Sequence, residues 1–268
     1  MSPADRYTHG HHDSVLRSHR WRTAENSAGF LLDHLRPGQR VIDVGCGPGT
    51  ITAGLARRVA PGAVVGIDRE ESVVSAARAA HAGTDNLSFE VGDAYQLELL
   101  DESADVVYLH QVLQHLSDPV AALVEARRVL RVGGLVAVRD ADYGEFVWAP
   151  RDARLDRWLS LYHEVTAGLG GDADAGRRLP DWVRAAGFDD LVVSASTWTF
   201  ATADERRWWG QLWAERVVAS DFATHALAAR LTTREELGSI AQGFRDWVET
   251  EGGHFVVVHV EVVARRWR

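Results

Sequence analysis

The chain has 268 residues, 46% of them apolar and 25% charged, which is ordinary composition for a folded globular protein, and its formal charge is −9. All 29 residues counted as Lys plus Arg are Arg, which excludes chemistry built on a lysine amine, such as a Schiff base or a Walker-type phosphate grip. The acidic balance disfavours nucleic acid, a lone Cys46 excludes an internal disulfide, and no charged, apolar leader or ~18-residue apolar span is visible.

These features predict a cytoplasmic monomer or homodimer that acts on a small molecule, with neither nucleic acid nor membrane as partner. The chain opens on a polar, His-rich stretch from Tyr7 to His12, followed by a predicted helix over Arg22 to Leu35 that closes at Pro37-Gly38, so residues 1–38 read as a helical cover. From Arg40 short β-branched runs alternate with Ala-rich helical stretches. Strands are predicted at Val41 to Val44, Ala63 to Ile67, Leu87 to Val91, Asp105 to Leu109 and Leu135 to Arg139, with a helix from Pro119 to Leu130 before the last. Parallel neighbours need crossover helices, so this pattern predicts a doubly wound, Rossmann-like α/β sheet, mostly parallel, with helices on both faces.

After Asp140 the texture changes, because nine of the ten Trp residues lie from Trp148 onward. Helices are predicted at Arg151 to Gly168, Leu179 to Ala186, Ala203 to Val218 and Thr233 to Thr250. Leu191 to Phe200 and Phe255 to Ala264 read as strands that complete one sheet edge. Residues 39–268 are therefore expected to form one domain with helical cap insertions at about 145–170 and 203–250.

The segment Val41-Ile-Asp-Val-Gly-Cys-Gly-Pro-Gly-Thr50 places a glycine-rich loop where a strand gives way to a helix, so that a ligand can approach the backbone closely. On its own such a loop is often only a tight βα connection. Read as a dinucleotide fingerprint it fails at Thr50, where a third glycine or alanine is needed, which disfavours an NAD-linked oxidoreductase. Asp68 follows the second strand and Asp93 the third, so Asp43, Asp68 and Asp93 recur every 25 residues and should line one crevice at the strand ends. Taken singly, Asp68 reads equally well as a helix cap and Asp93 as a turn residue.

With these motifs the sequence resembles, over about residues 20 to 200, the class I S-adenosylmethionine-dependent methyltransferases, small-molecule branch, related to those of ubiquinone and menaquinone biosynthesis. Leu113-Gln-His-Leu-Ser-Asp-Pro119 and Glu125-Ala-Arg-Arg-Val-Leu-Arg-Val-Gly-Gly134 carry the likeness further. The resemblance implies that Asp43, Gly45, Cys46, Gly47 and Arg69 lie along the cofactor and that Asp68 binds its ribose. It places Gly92, Asp93 and Ala94 at the adenine, and His110 and Gln111 at the methyl-donor end. Tyr7, His19 and Arg22 become candidates for the cofactor's carboxylate.

A sulfonium is already an activated electrophile, so the protein's main task would be to position an acceptor in line with it and exclude water. Trp148, Trp158, Tyr162, Trp208, Trp209 and Trp213 are candidate walls of an aromatic or lipophilic acceptor pocket, although each is individually as compatible with ordinary core packing. A hydroxyl or acidic-carbon acceptor would need a base, for which His115, His110 and Asp142 are the catalytic candidates, with Asp140 and Tyr143 beside them. The same fold could instead shape a substrate for cyclisation or a pericyclic reaction without moving a methyl group. His9, His11, His12 and Asp13 are clustered, yet no metal site is expected from them. The paired arginines read as solvated faces.

Overall fold

The computed structural model describes Thr8 and residues 13–267. In chain order the elements are α1 (Asp13–Arg20), α2 (Ala24–Ser27), α3 (Gly29–Leu32), β1 (Val41–Val44), α4 (Thr50–Val59), β2 (Val64–Asp68), α5 (Glu71–Ala80), β3 (Leu87–Val91) and β4 (Ala104–His110). Then follow α6 (Pro119–Val129), β5 (Leu130–Ala141), β6 (Val147–Ala149), α7 (Ala153–Gly168), α8 (Ala175–Ala185), β7 (Asp189–Phe200), α9 (Ala203–Ala219), α10 (Asp221–Ala228), α11 (Arg234–Glu249) and β8 (His254–Arg265).

The strands form one sheet in the order β3-β2-β1-β4-β5-β8, with β6 beside the start of β8 and β7 along its other edge. The first five strands run parallel, whereas β8 is antiparallel to β5 and to β7. β1 is buried at every position because helices cover both faces of the sheet, which is why it reads as a continuous apolar run broken only by Asp43. Two apolar clusters flank the sheet, and a third, rich in rings, fills the space between β6, β7, β8 and helices α7, α9, α10 and α11. Helix starts follow local chemistry: Asp118 accepts from the Ala121 N–H ahead of Pro119, and Thr202 and Glu205 form a capping box for α9.

The structure corrects two predicted elements. The helix expected over Arg22 to Leu35 is instead the pair of single turns α2 and α3, because tertiary donors take the carbonyls that a continuous helix would use. Trp198 Nε1 donates to the Asn26 carbonyl at 2.8 Å and Tyr108 Oη to that of Ser27 at 2.7 Å. The cap insertion expected from about 145 is also not helical at its start. Val147, Trp148 and Ala149 form β6, paired with Val256, Phe255 and His254.

Candidate active site

The glycine loop is shaped by its backbone. Gly45 and Gly47 have φ of +74° and +54°, a region where a side chain is strained. A Cβ at Gly45 would drive into Val112, while at Gly47 the nearest atom is His19 Nδ1 at 3.9 Å, so the backbone there is open to a ligand. The loop is stitched to the end of β2: the Gly45 and Cys46 N–H groups donate to the Ile67 carbonyl at 2.7 and 3.0 Å.

Asp68 is braced at the same corner. Its Oδ2 accepts from the Gly47 N–H at 3.0 Å and its Oδ1 from the Glu70 N–H at 3.1 Å, which fixes the carboxylate. Asp43, 2% exposed, accepts from Thr52 Oγ1 at 2.7 Å. Burial pushes its carboxyl up to about 7, the Thr52 hydroxyl opposes that shift, and the Asp68 charge adds to it.

These groups border a cleft of about 900 Å³, in the range of a cofactor-sized ligand with room beside it. Its walls bring together Arg22, Asp43, Gly45, Cys46, Gly47, Asp68, Arg69, Gly92, Asp93, Ala94, His110, Gln111 and His115, so the predicted residues from five separate segments converge. His110 is 5% exposed, and neither ring nitrogen has a hydrogen-bond partner among the described residues, an orphan polar ring at the cleft wall. Tyr7 and the His9, His11 and His12 cluster lie outside the described residues.

A constricted chamber with about 30 Å³ of free space adjoins the cleft and shares His19, Arg22, Gln111 and His115 with it. Its walls are largely aromatic: Trp21, Trp198, Trp208, Trp209, Trp213 and Tyr143. Three of the predicted wall residues, Trp208, Trp209 and Trp213, are there. Trp148, Trp158 and Tyr162 instead pack in the ring-rich core at 2% exposure or less.

The imidazoles are held neutral. His115 is depressed to about 3, first by burial and then by the Arg22 charge, and it accepts from Gln114 Nε2 at 3.0 Å. His110 is pushed well below its usual range by burial, with Arg139 and Arg22 adding to the effect. Asp142 is not brought to either cavity. It accepts from the Arg177 N–H at 3.0 Å and from Arg177 Nε at 2.8 Å, with a further bond from Nη2, so the partner that claims it is a helix 35 residues on. Asp140 is fully buried and driven toward its uncharged form.

A family model described as a methyltransferase domain matches residues 35–187. The chain belongs to the S-adenosylmethionine-dependent methyltransferases. An uncharacterized methyltransferase of Schizosaccharomyces pombe is 32% identical over 97% of this chain and 96% of its own. Two solved structures share this methyltransferase's fold. A Haemonchus contortus phosphoethanolamine N-methyltransferase, seen with S-adenosylhomocysteine, is 18% identical at a TM-score of 0.54, covering 87% of this chain and half of that one. The [4+2]-cyclase SpnF is 23% identical at a TM-score of 0.54, covering 94% of this chain and 80% of that one. The match to the family falls on the half of this methyltransferase that carries the glycine loop and the three acids.

Reasoning from sequence missed several residues of the chamber wall, Trp21, Trp198, Phe146 and Arg216, and His259, which stands behind Gln111 and Trp198. Trp198 carried a signal, since alternation along β7 buries Trp198 and Phe200 on one face. His259 carried none, because its role depends on β8 lying beside β5, with Asp140 opposite Val260 and Ala141 opposite His259.

Proposed function

We propose that this methyltransferase moves the methyl group of S-adenosylmethionine to a small aromatic acceptor seated in the indole-lined chamber. The observation that carries the reading is the continuity of the two cavities: the cleft over the glycine loop meets an aromatic chamber at His19, Arg22, Gln111 and His115. When bound, the cofactor supplies an activated methyl group on a positively charged sulfur.

In this reading the Gly45–Gly47 loop lets the cofactor approach closely, most openly at Gly47, Asp68 accepts from its ribose hydroxyls, and Asp43, held by Thr52, lines the same cleft. Asp93 and Ala94 line the adenine end. Gln111, Gln114 and His115 face the meeting point of the cavities, where they orient groups by hydrogen bonds and keep water out. Incubation with methyl-labelled cofactor and mixed aromatic metabolites tests this: label should appear in an organic-soluble product, and label that stays wholly on the cofactor refutes methyl transfer.

A further inference from the structure

The chamber is too small for a guest that suits its walls. It holds about 30 Å³ of free space, whereas an apolar cavity of about 150 Å³ is what takes a single benzene ring, so part of the wall must move before any ring enters. Most of the wall is fixed. Trp198 is anchored through Nε1, which donates to the Asn26 carbonyl at 2.8 Å, and packs on His259 at 4.3 Å. Tyr143 stacks on Phe146 at 4.4 Å and on Tyr162 at 4.0 Å. Trp209 lies on Phe200 at 4.4 Å with the planes 7° apart, and Trp213 meets Trp158 edge-on at 4.5 Å; both indoles are buried.

Trp208 differs from these. It sits half-buried on the second turn of α9, and among the described residues no hydrogen bond holds its indole. Three rings meet it at similar tilts: Trp21 at 5.4 Å and 38°, Phe200 at 5.7 Å and 34°, and Trp209 at 6.1 Å and 30°. Of these, Trp21 is itself 37% exposed. The approach of α1 to α9 explains the contact: Arg17 pairs with Glu215 and Arg216 donates to Ser18, which leaves Trp21, just past the end of α1, beside Trp208. A change of Trp208 rotamer toward solvent would vacate a flat slot between the three rings, with the outline of an indole.

We infer that Trp208 is a placeholder for the acceptor: its indole occupies the berth of a flat, two-ring aromatic guest, which enters as Trp208 swings out. This deepens the aromatic-acceptor reading above and rests on it. The exchange is nearly balanced, because an incoming flat ring regains on Trp21, Phe200 and Trp209 the ring contacts that the indole gives up. Trp208 therefore sets the acceptor's shape. A single ring leaves part of the slot unfilled, and a non-planar skeleton of the same bulk cannot lie between rings spaced for a flat one.

The test titrates 2-naphthol by calorimetry into the full-length chain and into Trp208→Ala, each with and without saturating S-adenosylhomocysteine. The variant should bind at least about tenfold more tightly, the factor expected if the swung-out state is no more than about a tenth of the parent population. Equal or weaker binding overturns the inference, as does an equal gain for 1-adamantanol, which has similar bulk but is not flat. The parent gives a second reading that does not depend on how Trp208→Ala folds. In chain labelled with 5-fluorotryptophan, the Trp208 fluorine resonance, identified by its loss in Trp208→Phe, should become open to broadening by a dissolved gadolinium chelate once 2-naphthol is bound. A resonance that stays shielded while 2-naphthol binds overturns the inference, and so does a parent that does not bind 2-naphthol at all. Failure of S-adenosylhomocysteine to bind defeats the methyl-transfer reading instead, and the titrations without it still read the berth.

Discussion

Gln111 Nε2 lies 2.8 Å from His259 Nε2, joining the residue after β4 to the middle of the last strand. Gln111 has φ of +53°, an uncommon conformation for a residue with a side chain, and the bond to His259 helps to hold it there. His259 in turn packs at 4.3 Å against the Trp198 ring, so one imidazole steadies both a cavity junction and a chamber wall. Burial keeps it neutral, which lets Nε2 accept from the amide. His259→Phe is predicted to lower turnover by about tenfold to a hundredfold with cofactor affinity nearly unchanged; single-turnover rates alongside calorimetry check this, and a parallel loss of both would show a merely structural role.

Asp68→Ala should weaken S-adenosylhomocysteine binding by about 1.5 to 3 kcal/mol, the cost of losing hydrogen bonds to a charged acceptor. Unchanged affinity by calorimetry removes Asp68 from the site.

Asp43 predicts a pH dependence of stability. Its carboxyl is raised from 3.8 to about 7 in the folded chain, so the folded state holds a proton that the unfolded state releases between those values. Stability should therefore decline as pH rises through that window and level off above about 7. Asp43→Asn, which cannot ionise, should flatten this part of the profile; denaturant titrations at pH 5, 6, 7 and 8 read it, and parallel profiles for variant and parent would contradict the assignment.

The Arg139–Glu261 pair is 3.1 Å apart, with side chains 1% and 6% exposed, and Ser194 and Ser196 donate to the same carboxylate. Removing one charge leaves the other buried without compensation. Glu261→Gln is predicted to cost about 3 to 5 kcal/mol of stability, measured by urea unfolding; a loss below about 1 kcal/mol, the range of exposed pairs, would show the pair to be solvated.

The parallel half of the fold was legible because its information is local. Buried strands such as Val41–Val44 and Ala104–His110 are apolar runs bounded by breakers, and the three acids fall at strand ends by periodicity alone. What escaped depends on distant partners. Nothing near Asp142 announces that Arg177 will claim it, and nothing in Asn26 or Ser27 shows that indole and phenol donors from β7 and β4 will divide a helix into two turns. The Trp-rich texture of the second half was legible, yet which rings face a cavity and which face one another is decided by three-dimensional packing: Trp213 lines the chamber while its contact Trp158, 4.5 Å away, does not.

The antiparallel return of β8 between β5 and β7 has one more consequence. It lets the C-terminal third of the chain furnish Trp198 and Val257 to the chamber wall, with His259 behind them against Gln111. The cleft over the glycine loop and the C-terminal part of the chamber wall thus come from separate stretches of sequence, so changes in β7 or α9 can refashion the chamber and leave the glycine bend as it is.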